Sequence, residues 1–371
     1  MTLGLGRGKG RRFGSGWISG TLSVTLGALG YGGVLCLLFP DLLTTPDARP
    51  LYPLGLIRAL IYAFLVAGFG LGLLSALLRR RKTLGLTGIA LTVAGTLLGG
   101  SSAEIGGPGT GTRSLGLDWF LLNFLVLTVV FVPLERIFPR RPEQEIFRAG
   151  WDTDLAHFAV SHLLVQLTVL LTMAPAAVLF GWAARRSLQA WVTAQPIALQ
   201  AIEVLVVADL AQYWVHRAFH ELPLLWRFHQ VHHSSVAMDW LAGSRLHLFD
   251  IVVTRGLSFV PLYVLGFESG AVYAYLVFVS FHPVFIHANV RFRFRALDWI
   301  LVTPRFHHWH HAAHVEAVNR NFAVHLPMID RVFGTAYLPD GRWPDVYGIA
   351  GNPVPEGYLS QLVYPLQRAK A

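Results

Sequence analysis

Apolar positions along this chain come in long unbroken runs, without the alternation of a half-buried strand or the narrow stripe of a soluble amphipathic helix. Runs at about 17–39, 54–78, 84–100, 116–134, 155–182 and 197–215 are long enough to cross a bilayer as helices, and looser apolar segments follow near 251–267 and 270–286. The pattern predicts an all-α, multi-pass integral membrane helical bundle. The first run follows a basic stretch with Arg7, Lys9, Arg11 and Arg12, as a signal peptide would, but it has spanning length and no clear small-residue cleavage site, so it reads as a retained helix.

Polar positions collect between the runs, and their charges predict an orientation. The N-terminal cluster, Arg79 to Lys82, and the group Arg136, Arg140, Arg141 and Arg148 are expected on the cytoplasmic side, and an even number of crossings separates them. Carried on, the run at 155–182 goes out and that at 197–215 returns. The next two segments form a hairpin, so residues near 216 and near 307 reach one cytoplasmic mouth. Arg185 and Arg186 then lie outside, against the charge bias. The charged stretch Glu135 to Arg148 interrupts the apolar pattern and divides the chain into a four-span N-terminal region, 1–145, whose role is unreadable, a region 146–340 that carries the chemistry, and a tail, 341–371. Small residues in Gly68 to Gly72 are read as helix packing.

Composition sharpens this picture. Hydrophobic residues make up 54% of the 371 and charged residues 14%, too apolar a balance for an ordinary soluble domain. The net charge of +9 follows from basic loops facing anionic headgroups, and no nucleic-acid recognition motif accompanies it. Cysteine is limited to Cys36, which excludes a disulfide framework, a thiolate zinc site and an iron–sulfur cluster in this chain.

Every histidine lies in the second region, and eight fall in three tight groups: His216 and His220; His229, His232 and His233; His307, His310 and His311. Residues three or four apart share a helix face, so each group aims several imidazoles at one point. One ion rarely needs more than about four protein ligands, so eight convergent imidazoles imply two ions. Ligand type leaves iron, zinc, copper and nickel open. A zinc protease would need H-E-x-x-H, and Leu224 stands where the second histidine of His220-Glu221 should be. Asp209 lies seven residues before His216 on about the same helix face, where it is expected to orient a ligand imidazole or to pair with a neighbouring polar group. Glu221 follows a ligand position and is expected either as an acceptor beside it or as a solvated surface group.

The segment Tyr213-Trp214-Val215-His216-Arg217 with His220, then Leu225-Trp226-Arg227-Phe228-His229 with His232, His233 and Ser234, resembles the fatty acid hydroxylase and sterol desaturase superfamily. So do His287-Ala288-Asn289-Val290, Thr303-Pro304-Arg305-Phe306-His307 with His310-His311, Asn321-Phe322 and Asp330-Arg331-Val332-Phe333-Gly334-Thr335. Order and spacing agree over about 150–340. The chain departs from the family pattern at Ala323, where glycine is common, and at Ile329, where tryptophan precedes the aspartate.

The resemblance implies a membrane-bound non-haem di-iron oxygenase that hydroxylates or desaturates a lipid C–H position with O2 and two electrons, zinc being possible in the purified protein. Hydroxylation is favoured on family breadth. The substrate classes are sterol or terpenoid, fatty acyl, sphingoid and glyceryl ether. Carried over by position, the metal ligands are His216, His220, His229, His232, His233, His307, His310 and His311, with His287 added on the resemblance alone. His247, His282, His308 and His314 lie near the constellation, and His308 would point off the ligand face. No flavin, haem or iron–sulfur motif is visible, so electrons are expected from a separate reductase or b-type cytochrome. Rival readings are a proton relay or pH sensor, a metal transporter or sensor, and a catalytically silent relative held together by metal.

Overall fold

The structure, a computed structural model, describes residues 14–46, 49–107, 114–163, 171, 176–292 and 296–367. Among these the regular elements are helices, and β-pairing is limited to two isolated bridges, Pro139 with Val290 and Ala312 with Tyr347. Seven helical segments are long and apolar enough to cross a membrane. They are α1 (Trp17–Leu38), α2 (Leu54–Leu78), α3 (Thr83–Leu97, continued by a turn to Ser102), α4 (Leu117–Ile137), α6 (Ile197–Glu221), α8 (Leu248–Leu265) and α9 (Ser269–His287). The chain is a multi-pass membrane protein. Between α4 and α6 lies α5 (Trp151–Leu163). Eleven of the 28 residues of the run expected to span at 155–182, 164–170 and 172–175, lie outside the described residues.

The chain divides into two compact units, one formed by 1–126 with 162–166 and the other by 127–161 with 167–371. In the first, small residues let α1, α2 and α3 approach closely. The Ser23 hydroxyl donates to the Gly68 carbonyl at 2.6 Å, and a Cβ at Gly88 would fall 1.9 Å from the Ser23 oxygen. Only glycine fits there. Val34, Leu37, Ile61, Leu65 and Ala103 form the apolar core beside this seam.

The second unit is built on α6, α8 and α9, which share a core of Val204, Ala208, Leu262, Ala271 and Tyr275. Three short helices cap one end of these spans: α7 (Pro223–His233), α10 (Pro304–His310) and α11 (Pro327–Val332). Each opens with proline at its first position, where the missing N–H costs nothing and the fixed φ suits a helix. For α10 the Thr303 hydroxyl also accepts the Phe306 N–H at 3.4 Å.

Behind the caps lies a buried ionic lattice. Arg148 donates to Asp239 at 2.6 and 2.8 Å and to Asp154 at 2.5 Å, and Arg245 pairs with the other oxygen of Asp154. Arg148, counted from the sequence among the basic loop residues, is 7% exposed: two carboxylates hold it inside. The segment after residue 340 is also part of this unit. Leu362 and Gln361 accept hydrogen bonds from His247 Nε2 and His157 Nε2, each at about 3 Å.

Candidate metal centre

The helix ends bring nine imidazoles together as two adjoining groups. His216, His220, His229, His233 and His310 form the first, and His232, His287, His307 and His311 the second; within each, all ligand nitrogens lie within 4.8 Å of one another. The sources follow from helix geometry. His216 and His220 stand one turn apart at the end of α6, and His229 and His233 one turn apart on α7. Consecutive residues diverge by about 100° around a helix, so His232 and His233 enter different groups, as do His310 and His311. The groups touch through the stacked rings of His233 and His311, whose centroids are 4.4 Å apart.

The outer nitrogens decide what the inner ones can do. An imidazole nitrogen against a carbonyl oxygen must carry its proton there, because a carbonyl only accepts. His216 Nδ1 meets Phe322 at 2.6 Å, His232 Nδ1 meets Arg245 at 3.1 Å, His287 Nδ1 meets Pro283 at 2.6 Å and His310 Nδ1 meets Arg320 at 2.8 Å. His229 Nδ1 faces the Asp250 carboxylate at 2.6 Å. In the neutral rings each Nε2 therefore carries a lone pair.

These lone pairs face one another. His232 Nε2 lies 3.3 Å from His287 Nε2 and His216 Nε2 lies 3.0 Å from His229 Nε2, while His307, whose Nδ1 has no partner to fix its tautomer, brings its Nε2 to 3.1 Å from both His287 Nε2 and His311 Nε2. Protonation would relieve the repulsion, but burial opposes it. Desolvation first, then the neighbouring imidazoles, hold His232, His233, His307 and His311 well below the ordinary 6.5, and His310 is held there by burial and by His216. The Nε2 atoms of His220, His233 and His310 are buried without a partner. Neutral, convergent, unsatisfied acceptors fit cations, and the all-nitrogen donor set suits a borderline transition metal.

Of the two alternatives read for each of the carboxylates Asp209 and Glu221, the structure shows the second, and neither touches an imidazole. Asp209 is buried, and its oxygens accept the backbone N–H groups of Val324 (3.0 Å), His325 (3.1 Å) and Leu326 (2.6 Å) instead of an imidazole. Seven residues is two helical turns, about 10 Å of rise, so sharing a face with His216 does not mean touching it. Its effect on the site passes through the backbone, since the same strip of chain supplies the Phe322 carbonyl to His216. Glu221 points outward with its side chain 46% exposed and accepts from Arg217 Nε at 2.8 Å, because one residue beyond His220 is a different helix face.

Among the four doubtful histidines, none joins either group. His308 bonds the Tyr347 hydroxyl at 2.8 Å, His314 pairs with Asp345, His247 bonds Leu362, and His282 meets His325 at 3.0 Å. Sequence reading missed Asp250, the acceptor for His229, although a carboxylate at the head of an apolar helix was its signal. It also missed Asp330, which accepts the Phe322 and Ala323 N–H groups at 2.8 Å and the Thr335 hydroxyl at 2.7 Å. A cleft of about 580 Å³ lined by Asp298, Trp299, Arg305, Phe306 and Arg331 holds no histidine.

Known proteins agree with this geometry. The family model described as fatty acid hydroxylase matches residues 201–335. An ornithine lipid hydroxylase from Rhizobium tropici is 31% identical over 256 residues, 68% of this chain and 77% of the relative. An alkylglycerol monooxygenase from Homo sapiens is 34% identical over 128 residues, 34% of this chain, and the match spans 28% of the human protein. A fatty acid hydroxylase from Lecanicillium sp is 32% identical over 148 residues, 35% of this chain and 40% of the relative. No solved structure matches. With the histidine spacing, the helical architecture and similarity across most of a full-length relative in agreement, the chain belongs to the fatty acid hydroxylase and sterol desaturase superfamily.

Proposed function

We propose that this protein is a membrane-bound lipid oxygenase in which the nine clustered histidines hold two iron ions. The observation that carries the reading is the pair His232 and His287: both rings spend their Nδ1 proton on a carbonyl, and their Nε2 lone pairs face each other at 3.3 Å. The rival of a proton relay would need rings that exchange protons, whereas these are held neutral and their tautomers pinned. Relatives named as a lipid hydroxylase and a monooxygenase favour hydroxylation over desaturation.

Bound iron would supply the O2-dependent oxidising power that an unactivated C–H bond requires and that side-chain acid–base chemistry lacks. The overall change balances as RH + O2 + 2 e⁻ + 2 H⁺ giving ROH + H2O. The electrons call for a donor, which we assign to a separate reductase or b-type cytochrome. The chain's own part is positional. Phe322, Arg245, Pro283 and Arg320 carbonyls and the Asp250 carboxylate orient the imidazoles, and Asp209 and Asp330 fix the 322–326 backbone that delivers one of those carbonyls. Eight of the nine rings are buried and His220 is partly so, which keeps bulk water from the site.

We assign the activity to 146–340, an accessory role to 1–145 and a supporting role to 341–371. The positive-inside pattern of the loops supports a cytoplasmic N-terminus and site, in a plasma, inner or endoplasmic reticulum membrane. The deciding experiment is metal analysis of the detergent-solubilised protein with reductant-dependent oxygen uptake on a lipid extract. About two irons per chain and lipid-stimulated uptake are expected. Zinc alone, with no uptake after anaerobic iron reconstitution, would overturn the oxygenase reading in favour of a structural or transport site.

A further inference from the structure

α8 carries two charged residues within its span, Asp250 and Arg255, and they are treated differently by the fold. Asp250 is satisfied: His229 takes one oxygen and the Thr254 hydroxyl donates to the other at 3.0 Å. The Arg255 guanidinium makes no hydrogen bond or ion pair among the described residues. An unpaired cation at membrane depth is costly and is retained where it has a use.

Its position on the helix says where it points. Arg255 follows Ile251 by four residues and precedes Ser258 by three and Leu262 by seven, so it projects from the face that those three bury. Leu257, on the opposite face, is 47% exposed as a lipid-facing residue would be. Arg255, unlike its neighbours on that face, is itself exposed. An exposed residue on an otherwise packed face implies a gap between the helices at its level.

Polar side chains of the neighbouring helices lie near Arg255. Gln212 of α6 donates to the Tyr275 hydroxyl of α9 at 3.0 Å, and Arg255 lies close enough to Tyr275 to interact with it electrostatically. Tyr275, already accepting from Gln212, has its own O–H proton to give. The guanidinium and the phenol thus offer donors from different helices, and neither donates a hydrogen bond among the described residues. Away from the histidines the same three helices close on Val204, Ala208, Leu262 and Ala271. Toward the histidines, Gln212 is one turn from His216, about 6 Å of rise, and Arg255 is five residues from Asp250, about 7.5 Å.

We propose that Arg255 and Tyr275 form the receptor for a hydrogen-bond-accepting polar group of the lipid substrate, a carboxylate, phosphate or carbonyl oxygen. This rests on the oxygenase reading and narrows its substrate to acyl or glycerol-based lipids bearing such a group, in preference to sterols or plain hydrocarbons. Anchored there, the substrate presents carbons a short distance along its chain to the histidine groups, and the anchor sets which carbon reacts.

The test uses the full-length, metal-loaded protein in detergent and measures binding of labelled palmitate, phosphatidylglycerol and hexadecane to wild type, Arg255→Gln, Arg255→Lys and Tyr275→Phe. Arg255→Gln is expected to weaken the charged probe that binds by tenfold or more, with Arg255→Lys recovering much of the loss and hexadecane unaffected. Whether palmitate or phosphatidylglycerol responds identifies the carboxylate or the phosphate source. Metal content and unfolding temperature should stay at wild-type values, and in turnover KM should rise with kcat nearly unchanged. Equal binding of every probe by wild type and Arg255→Gln would overturn the proposal, as would loss of metal or fold in Arg255→Gln with unchanged probe binding in the folded Tyr275→Phe. Arg255-dependent binding in a protein that consumes no oxygen would leave the receptor standing and remove the oxygenase reading.

Discussion

Asp250 and His229 illustrate how single residues tune the centre. A carboxylate on Nδ1 fixes the tautomer and raises the basicity of Nε2, so Asp250→Asn should weaken metal binding about 10–100-fold while the helices stay folded, as read by metal titration beside circular dichroism. His325 is a second case, outside both groups and unremarked in the sequence. It is fully buried against His282, and burial first, then that neighbour, holds its pKa well below 6.5. A depressed folded pKa makes the stabilisation complete above about 6.5, the unfolded value, and progressively lost as pH falls below it. His325→Gln should therefore flatten the loss of unfolding temperature between about pH 7.5 and 5.5. An acid limb as steep as in wild type would assign that loss to other groups. The histidine boxes were legible because ligand spacing is local. Asp250 was not, because its partner lies 21 positions away and only the fold joins them.

Each cap helix is short, and it is held in place by what lies behind it. The α7 imidazole His232 depends on the Arg245 carbonyl, and Arg245 depends on Asp154 of α5, which also binds Arg148. Removing one member of a buried ionic set leaves charges uncompensated, so Asp154→Ala should cost about 3–5 kcal/mol of stability. It should also loosen the second histidine group before the first, since only His232 rests on this lattice; thermal unfolding with metal retention reads both. Spans were legible as apolar runs, and seven of the expected eight coincide with described helices. Asp209 shows the limit of periodicity. Helix phase correctly put it on the face of His216, but phase says nothing about which chain will pack there, and the 324–326 backbone came to fill that place.

At the scale of the molecule the open variable is sidedness. With Cys36→Ser as background, cysteines introduced singly at Lys9 and at the exposed Glu316 should both react only with reagent added from the cytoplasmic side. That outcome requires an even number of crossings between them. Opposite labelling would mean an odd number, which is what the seven described spans alone give, and would remove 155–182 from the list of crossings. By itself the amino-acid sequence determined that this is a helical membrane protein with a histidine cluster at ligand spacing, because bilayer-spanning length and ligand spacing are written in consecutive residues. The tertiary structure alone decided that the nine rings divide five and four, with neighbours such as His232 and His233 parting company. It also decided which carbonyls fix their protons, and that Arg255 has no hydrogen-bond or ion-pair partner among the described residues. Most of those outcomes depend on separate helix ends meeting, His232 with His287 across 55 residues and His216 with the Phe322 carbonyl across 106, and a contact of that kind has no local signature.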